Sequence, residues 1–302
     1  YRKEGFSGYL AKPVSGALLE AAILNILPKE LVKLSEEASS LEANKDILIF
    51  EQTQRTFLMV TTDSVCDLPE PLKKEFGIKV CPYYICTEQG RFLDETELKA
   101  DELLSYMATG KEGYSQPPSV ADYEHFFAER LTEAQNVIHI TMAKYASQGY
   151  DNAVEAAKSF ENVTILDSGH LSSSLGLIVL HAAFMAENHA AKEDIISTVK
   201  SLKRYVSSAF IINSTHQMCQ AGKLAKRVQV LCDALLLHPI ILLRNSRMVV
   251  GGMGMGSFAH VAKAYIRKVL TNTGNIDRRI LFITYAGMEA ESVRYILDVV
   301  QQ

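Results

Sequence analysis

The sequence predicts an α/β fold built on a mostly parallel sheet flanked by helices. From Phe57 onward, short apolar runs alternate with amphipathic helical stretches, the pattern of βαβ units. Helix-start chemistry recurs between them, in Asp67-Leu68-Pro69 and in Pro117-Pro118-Ser119. A chain of 302 residues, 48% hydrophobic and 22% charged, can also bury a core without disulfide or metal staples.

In chain order, the alternation predicts strands over 57–62, 78–86, 136–142 and 162–167. Helices are expected over 69–76, 100–108, 119–132, 147–160 and 172–187. A second set follows: helix 192–206, strand 208–213, helix 215–221, strands within 238–250, helix 257–270, strand 280–285 and helix 289–301. The helix over 192–206 divides two expected lobes, 56–200 and 201–302. Residues 1–50 read differently. There a helical pattern (Leu18, Leu19, Ala22, Ile23, Ile26) starts at the cap residue Ser15, and Pro28 interrupts it. A charged, Ala- and Ser-rich helix or linker follows to about Lys45, and with no strand-rich unit around it this stretch cannot form a core alone. The chain opens on Tyr1 rather than Met, so a piece of a longer protein is expected.

Several function classes fit poorly. Net charge is −4, and no basic run offers the clustered Lys and Arg that nucleic acid requires. The five cysteines form no Cys-x-x-Cys pair, which argues against zinc or a disulfide framework and for a reducing cytoplasm. No apolar run reaches the ~18–20 residues of a membrane span, since His181 breaks Leu175–Ala186 and His238-Pro239 breaks Ala234–Leu243. No metal site or cofactor is expected. The glycine run Gly251–Gly256 lacks dinucleotide-binding spacing and reads as a surface turn. Asp167, Ser168 and His170 hold hydrolase residue types, but triad members converge from separate loops and these are neighbours.

Four elements carry the candidate site. Thr62-Asp63-Ser64 ends the first strand, where open α/β sheets gather ligands. Tyr114-Ser115-Gln116 precedes Pro117-Pro118, a stiff loop able to present hydroxyls to a small head group. Ile140-Thr141-Met142 ends a strand before Ser147-Gln148, at a helix start that favours an anion. Ser147 can bond a carboxylate there or cap its own helix. Asp167-Ser168 ends another strand and leads to Ser172 and Gly176, small residues that let a helix approach the sheet.

In this order and spacing the elements resemble the DegV family, as does Ala221-Gly222-Lys223-Leu224, which looks like its Gly-Arg-Ile element. The resemblance implies a two-lobed α/β protein that binds a long-chain fatty acid and is not an enzyme. It places the carboxylate on hydroxyls at the strand ends, among Ser147, Ser115, Tyr114, Gln148, Thr62, Asp63 and Ser64, with the acyl chain in an apolar tunnel. Some members of that family present the fatty acid to a separate kinase. Here Lys223 stands for the family's Arg, and Gly251–Gly256 for an Arg-rich turn. The family's final His-Thr-Gly-Pro-Gly element is missing from this sequence, so a kinase partner is not expected. Tyr114 and Gln148 stand for the family's Thr and Gly, positions able to change the ligand. Separately, Gly8-Tyr9-Leu10-Ala11-Lys12-Pro13 resembles the end of a response-regulator receiver domain, which implies upstream signalling domains and a lipid-sensing role. The alternative readings are a ligand-free scaffold or interaction domain and, behind it, a serine-type hydrolase.

Overall fold

The computed structural model describes residues 55–213, 225–272, 276–277, 279–288 and 290–301. The receiver-like segment and linker at 1–50, the expected helix 215–221, and Gly222, Lys223 and Leu224 lie outside the described residues.

The first strand, β1 (Thr56–Asp63), runs straight into a short 3-10 turn at Ser64–Cys66. Pro69 then starts α1 (Glu70–Glu75). The chain returns as β2 (Lys79–Cys81), parallel to β1. After Pro82-Tyr83 it leaves that sheet as β3 (Tyr84–Thr87). The expected single strand over 78–86 is thus two strands in two sheets. Proline carries no ladder donor, which suits a break at Pro82. Strand β3 pairs antiparallel with β4 (Gly90–Leu93) and, past α2 (Ala100–Ala108), with β5 (Gly113–Gln116). Both β4 and β5 are four-residue strands begun by glycine, too short and polar for the alternation to show.

Helix α3 (Val120–Glu133) starts where the sequence places it. Ser119 Oγ accepts the Asp122 N–H at 3.2 Å, and Asp122 Oδ2 accepts the Ser119 N–H at 2.8 Å. It buries Tyr123, Phe126 and Phe127, one face at i, i+3 and i+4. Next come β6 (Ala134–Thr141), α4 (Gly149–Ala157), β7 (Val163–Asp167), α5 (Ser172–Glu187) and α6 (Lys192–Tyr205). Strands β2-β1-β6-β7, in that order, form an all-parallel four-stranded sheet. On one face, Val60, Ile138, Ile140 and Leu166 pack with Leu175, Ile178 and Val179 of α5 and Ile195 and Val199 of α6. On the other, Tyr123, Phe126 and Phe127 of α3 pack with Ala153 and Ala156 of α4.

The remaining elements are β8 (Ala209–Ile211), α7 (Lys226–Ala234), β9 (Leu237–Arg244), β10 (Arg247–Met255), α8 (Phe258–Asn272) and α9 (Ala290–Gln301). Strands β10-β9-β8 make an antiparallel sheet whose hairpin turns at Asn245-Ser246, as the sequence suggests. Most of the glycine run is strand rather than turn. Gly251 to Met255 continue β10 past a register shift between Val250 and Gly252. A Cβ on Gly251 would lie 2.2 Å from Leu242 Cγ, and one on Gly254 2.1 Å from Val261 Cγ1. Close packing therefore asks for glycine at Gly251 and Gly254, whereas Gly256, with φ +108° and nothing within 4 Å of an added Cβ, is required by the bend that ends the strand. Residues 280–285 form no strand: Ile280, Leu281, Ile283 and Tyr285 are exposed, and β propensity cannot make a strand without an edge to pair with. No helix among the described residues is long and apolar enough to cross a membrane.

Candidate functional site

The connection from β1 leads to β2 on one side, and that from β6 leads to β7 on the other. The carboxyl ends of β1 and β6 therefore flank the topological switch point, where open α/β sheets leave a crevice. Thr62, Asp63 and Ser64 stand there, but their polar atoms are committed within the protein. Thr62 Oγ1 donates to the Ile140 carbonyl at 2.7 Å. Asp63 is fully buried, and its Oδ1 accepts from Tyr123 Oη at 2.7 Å and His139 Nε2 at 3.2 Å. Its Oδ2 accepts the Met142 N–H at 3.0 Å, tying the end of β1 to the loop after β6. Ser64 Oγ donates to Asp94 Oδ2 at 2.6 Å and accepts the Tyr83 N–H at 3.0 Å.

Tyr83 was hidden inside the strand expected over 78–86. Its hydroxyl lies 2.9 Å from Ser147 Oγ. Burial pushes the Tyr83 phenol well above the usual range, so it keeps its proton. Ser147 is half-buried just before α4, and its Oγ also accepts the Gly149 N–H at 3.1 Å. Gly149 leaves room for this meeting. A Cβ there would lie 2.3 Å from Tyr83 Oη and 3.2 Å from Tyr123 Oη. Helix α4 starts two residues later than expected because Ser147 and Gln148 form the turn before it. Gln148 is exposed and reaches Asp151 Oδ2 at 3.4 Å.

Tyr114 and Ser115 are brought to opposite faces of the β4-β3-β5 sheet. Ser115 pairs with Ile85, and Tyr114 with Cys86. Since successive strand residues alternate, Tyr114 shares its face with Arg91 and Gln116, and is 68% exposed. It borders a surface hollow with Thr87, Glu88 and Lys111. Beside Ser147, Tyr145 and Ala146 line an open cleft of about 290 Å³ with Leu243, Ser246, Arg247 and Met248 of the hairpin. The Arg247 guanidinium lies over the Tyr145 ring, 4.9 Å from its centre. The ring holds a positive charge at the cleft.

A model of the DegV family, described as an uncharacterised protein family, matches residues 58–299. The chain belongs to the DegV family. A DegV domain-containing protein of Caldanaerobacter subterraneus subsp. tengcongensis is 28% identical over 186 residues, 61% of this chain and 66% of that protein. One from Clostridium perfringens is 25% identical over 206 residues, covering 66% and 73%. Among solved structures, a DegV family protein from Thermus thermophilus, described for its fatty acid binding, superposes with a TM-score of 0.62 at 24% identity, covering 72% of this chain and 77% of that one. A DegV family protein from Eubacterium eligens, loaded with heptadecanoic acid, gives 0.64 at 16% identity, covering 81% and 88%.

One further corner of this DegV fold ties the end of β7 to the loop after β6 and to α6. Asp167 Oδ1 accepts the Lys144 and Gly169 N–H groups at 3.1 and 2.9 Å, and Oδ2 accepts Lys203 Nζ at 2.6 Å. Gly169 has φ +68°, and a Cβ there would lie 2.2 Å from Lys203 Cε and 2.7 Å from Ser246 Oγ. Ser168 Oγ donates to the His170 carbonyl at 3.1 Å and accepts the His170 N–H at 3.0 Å. The imidazole turns elsewhere: Nε2 donates to the Lys203 carbonyl at 3.2 Å. Ser168 and the His170 ring therefore do not pair as nucleophile and base.

Burial lowers the His170 pKa below its ordinary value, and Nδ1 is buried without a partner among the described residues. Below about pH 6.5 the unfolded chain takes up a proton that the folded ring refuses, so stability is lost as pH falls. Wild type is expected to lose more of its urea midpoint between pH 7.5 and 5.5 than His170→Gln does. Equal losses would remove His170 from the balance.

Proposed function

We propose that this chain binds one long-chain fatty acid non-covalently, with the carboxylate at Ser147 and the acyl chain running along the cleft between the 143–147 loop and the β9–β10 hairpin. The observation that carries it is the Ser147 hydroxyl, half-buried at the switch point and next in sequence to Tyr145 and Ala146, which line a cleft with Arg247. The solved DegV proteins described above with fatty acids support it, as does the chemistry. An ionised carboxylate only accepts hydrogen bonds, and a hydroxyl, the first backbone N–H groups of α4 and a guanidinium all donate. In this reading Ser115 contributes its hydroxyl from β5, while Thr62, Asp63 and Ser64 hold the frame. Tyr114 and Gln148 act at the rim.

Acyl burial contributes ~0.8 kcal/mol per CH₂, on the order of 12 kcal/mol gross for ~16 carbons. A hydrogen bond to a charged head group adds roughly 1.5–3 kcal/mol. Apolar contact thus sets affinity, and Ser147 sets orientation. The cleft of about 290 Å³ is at the low end of ligand sites, so it takes only part of the acyl chain, and the rest needs apolar wall beyond it.

Solvent extraction of the purified protein, with lipid mass spectrometry and intact native mass, is the direct test. One stoichiometric fatty acid is expected, and Ser147→Ala should weaken rebinding roughly 10- to 100-fold. A protein that is empty and refuses added fatty acid is a scaffold instead. We read the module further as a lipid sensor of a signalling protein, on the strength of the receiver-like Gly8–Pro13 segment. Identical output from loaded and empty forms of the full protein would sink that part alone.

A further inference from the structure

We infer that Tyr83 is a positioning residue that makes Ser147 an obligate hydrogen-bond donor, so that the site selects an acceptor-only head group and rejects one that can only donate. This rests on reading Ser147 as the head-group contact. A serine hydroxyl has one hydrogen and two lone pairs. The Gly149 N–H occupies one lone pair of Ser147 at 3.1 Å. Tyr83 Oη lies 2.9 Å away, a distance that suits either direction of donation.

Burial settles the direction. Tyr83 is 2% exposed, and its hydroxyl has no other acceptor among the described residues. Were it to accept from Ser147, its own hydrogen would be buried unpaired, which is unfavourable. Tyr83 therefore donates, and both Ser147 lone pairs are filled. What Ser147 has left is its hydrogen, on a side chain that is only half-buried. Tyr83 is held for this work by its backbone. Its N–H meets Ser64 Oγ at 3.0 Å, and its carbonyl accepts the Asp94 N–H at 2.9 Å. A carboxylate matches a forced donor. A long-chain ammonium, with donors alone, meets no acceptor there.

The test is the affinity of hexadecanoate and of hexadecylamine for wild type and Tyr83→Phe, with the thermal midpoint recorded for each. Wild type should prefer hexadecanoate. Tyr83→Phe frees a lone pair on Ser147, so hexadecanoate should weaken about tenfold while hexadecylamine binds more tightly. Ser64→Ala, which loosens the Tyr83 backbone without touching its ring, should narrow the preference in the same direction. Hexadecanoate binding by wild type with an unchanged preference in both variants overturns the inference and leaves the fatty-acid reading standing. Equal weakening of both ligands with a lowered midpoint makes Tyr83 structural only, which also overturns it. Wild type that binds neither ligand overturns both readings.

Discussion

Asp63→Ala is expected to lower the unfolding free energy by about 3–5 kcal/mol, the range for breaking a buried charged network. Three donors lose their acceptor at once: Tyr123 Oη at 2.7 Å, His139 Nε2 at 3.2 Å and the Met142 N–H at 3.0 Å. Asp63, Tyr123 and His139 are all fully buried, so water cannot replace the lost carboxylate. Tyr123→Phe removes one donor and leaves Asp63 its other partners, so a smaller loss of about 1–2 kcal/mol is expected. Urea unfolding of the three proteins checks this. A change below about 1 kcal/mol for Asp63→Ala, with fatty-acid binding abolished, would move Asp63 from the frame into the head-group site.

Gly176→Val is expected to be nearly as damaging, at about 3 kcal/mol, the upper end for overpacking. Gly176 lies in α5, where a Cβ would meet the Cys66 carbonyl oxygen at 2.4 Å and Leu68 Cγ at 3.1 Å. The first neighbour is backbone in the turn that follows β1, and it cannot swing aside as a side-chain tip can. Alanine is a weaker test, because its gain of about 1 kcal/mol in helix propensity offsets part of the clash. Valine adds bulk and gains less. Urea midpoints of the two variants should fall in the order wild type, alanine, valine. A valine variant as stable as wild type would show that α5 can move away from Cys66.

The helices were the most legible part. Residues 100–108 and 172–187 are helical over the spans the sequence implies, and the Ser119 cap was visible before its helix. The small residues before and within α5 did announce a close approach, and Gly176 makes it. The site was legible in part. Ser147 stands just before its helix, and its hydroxyl accepts the Gly149 N–H. Tyr83 was missed because an apolar run from 78 to 86 looks like one strand, and only Pro82 hinted at the break. The glycine run misled for a related reason. Gly251 and Gly254 answer to Leu242 and Val261, side chains on other elements.

By itself the sequence determined the α/β alternation, most helix boundaries and the placing of Thr62-Asp63-Ser64 and Ser147 at the ends of elements. Those features follow from local periods of two and 3.6 residues and from capping chemistry, which act within a few residues. The tertiary structure alone decided who partners whom. Asp63 bonds residues 60, 76 and 79 positions away, and Tyr83 reaches Ser147 across 64. Strand order sets such pairings, and strand order depends on which edges close over a shared core, a property that no local period encodes.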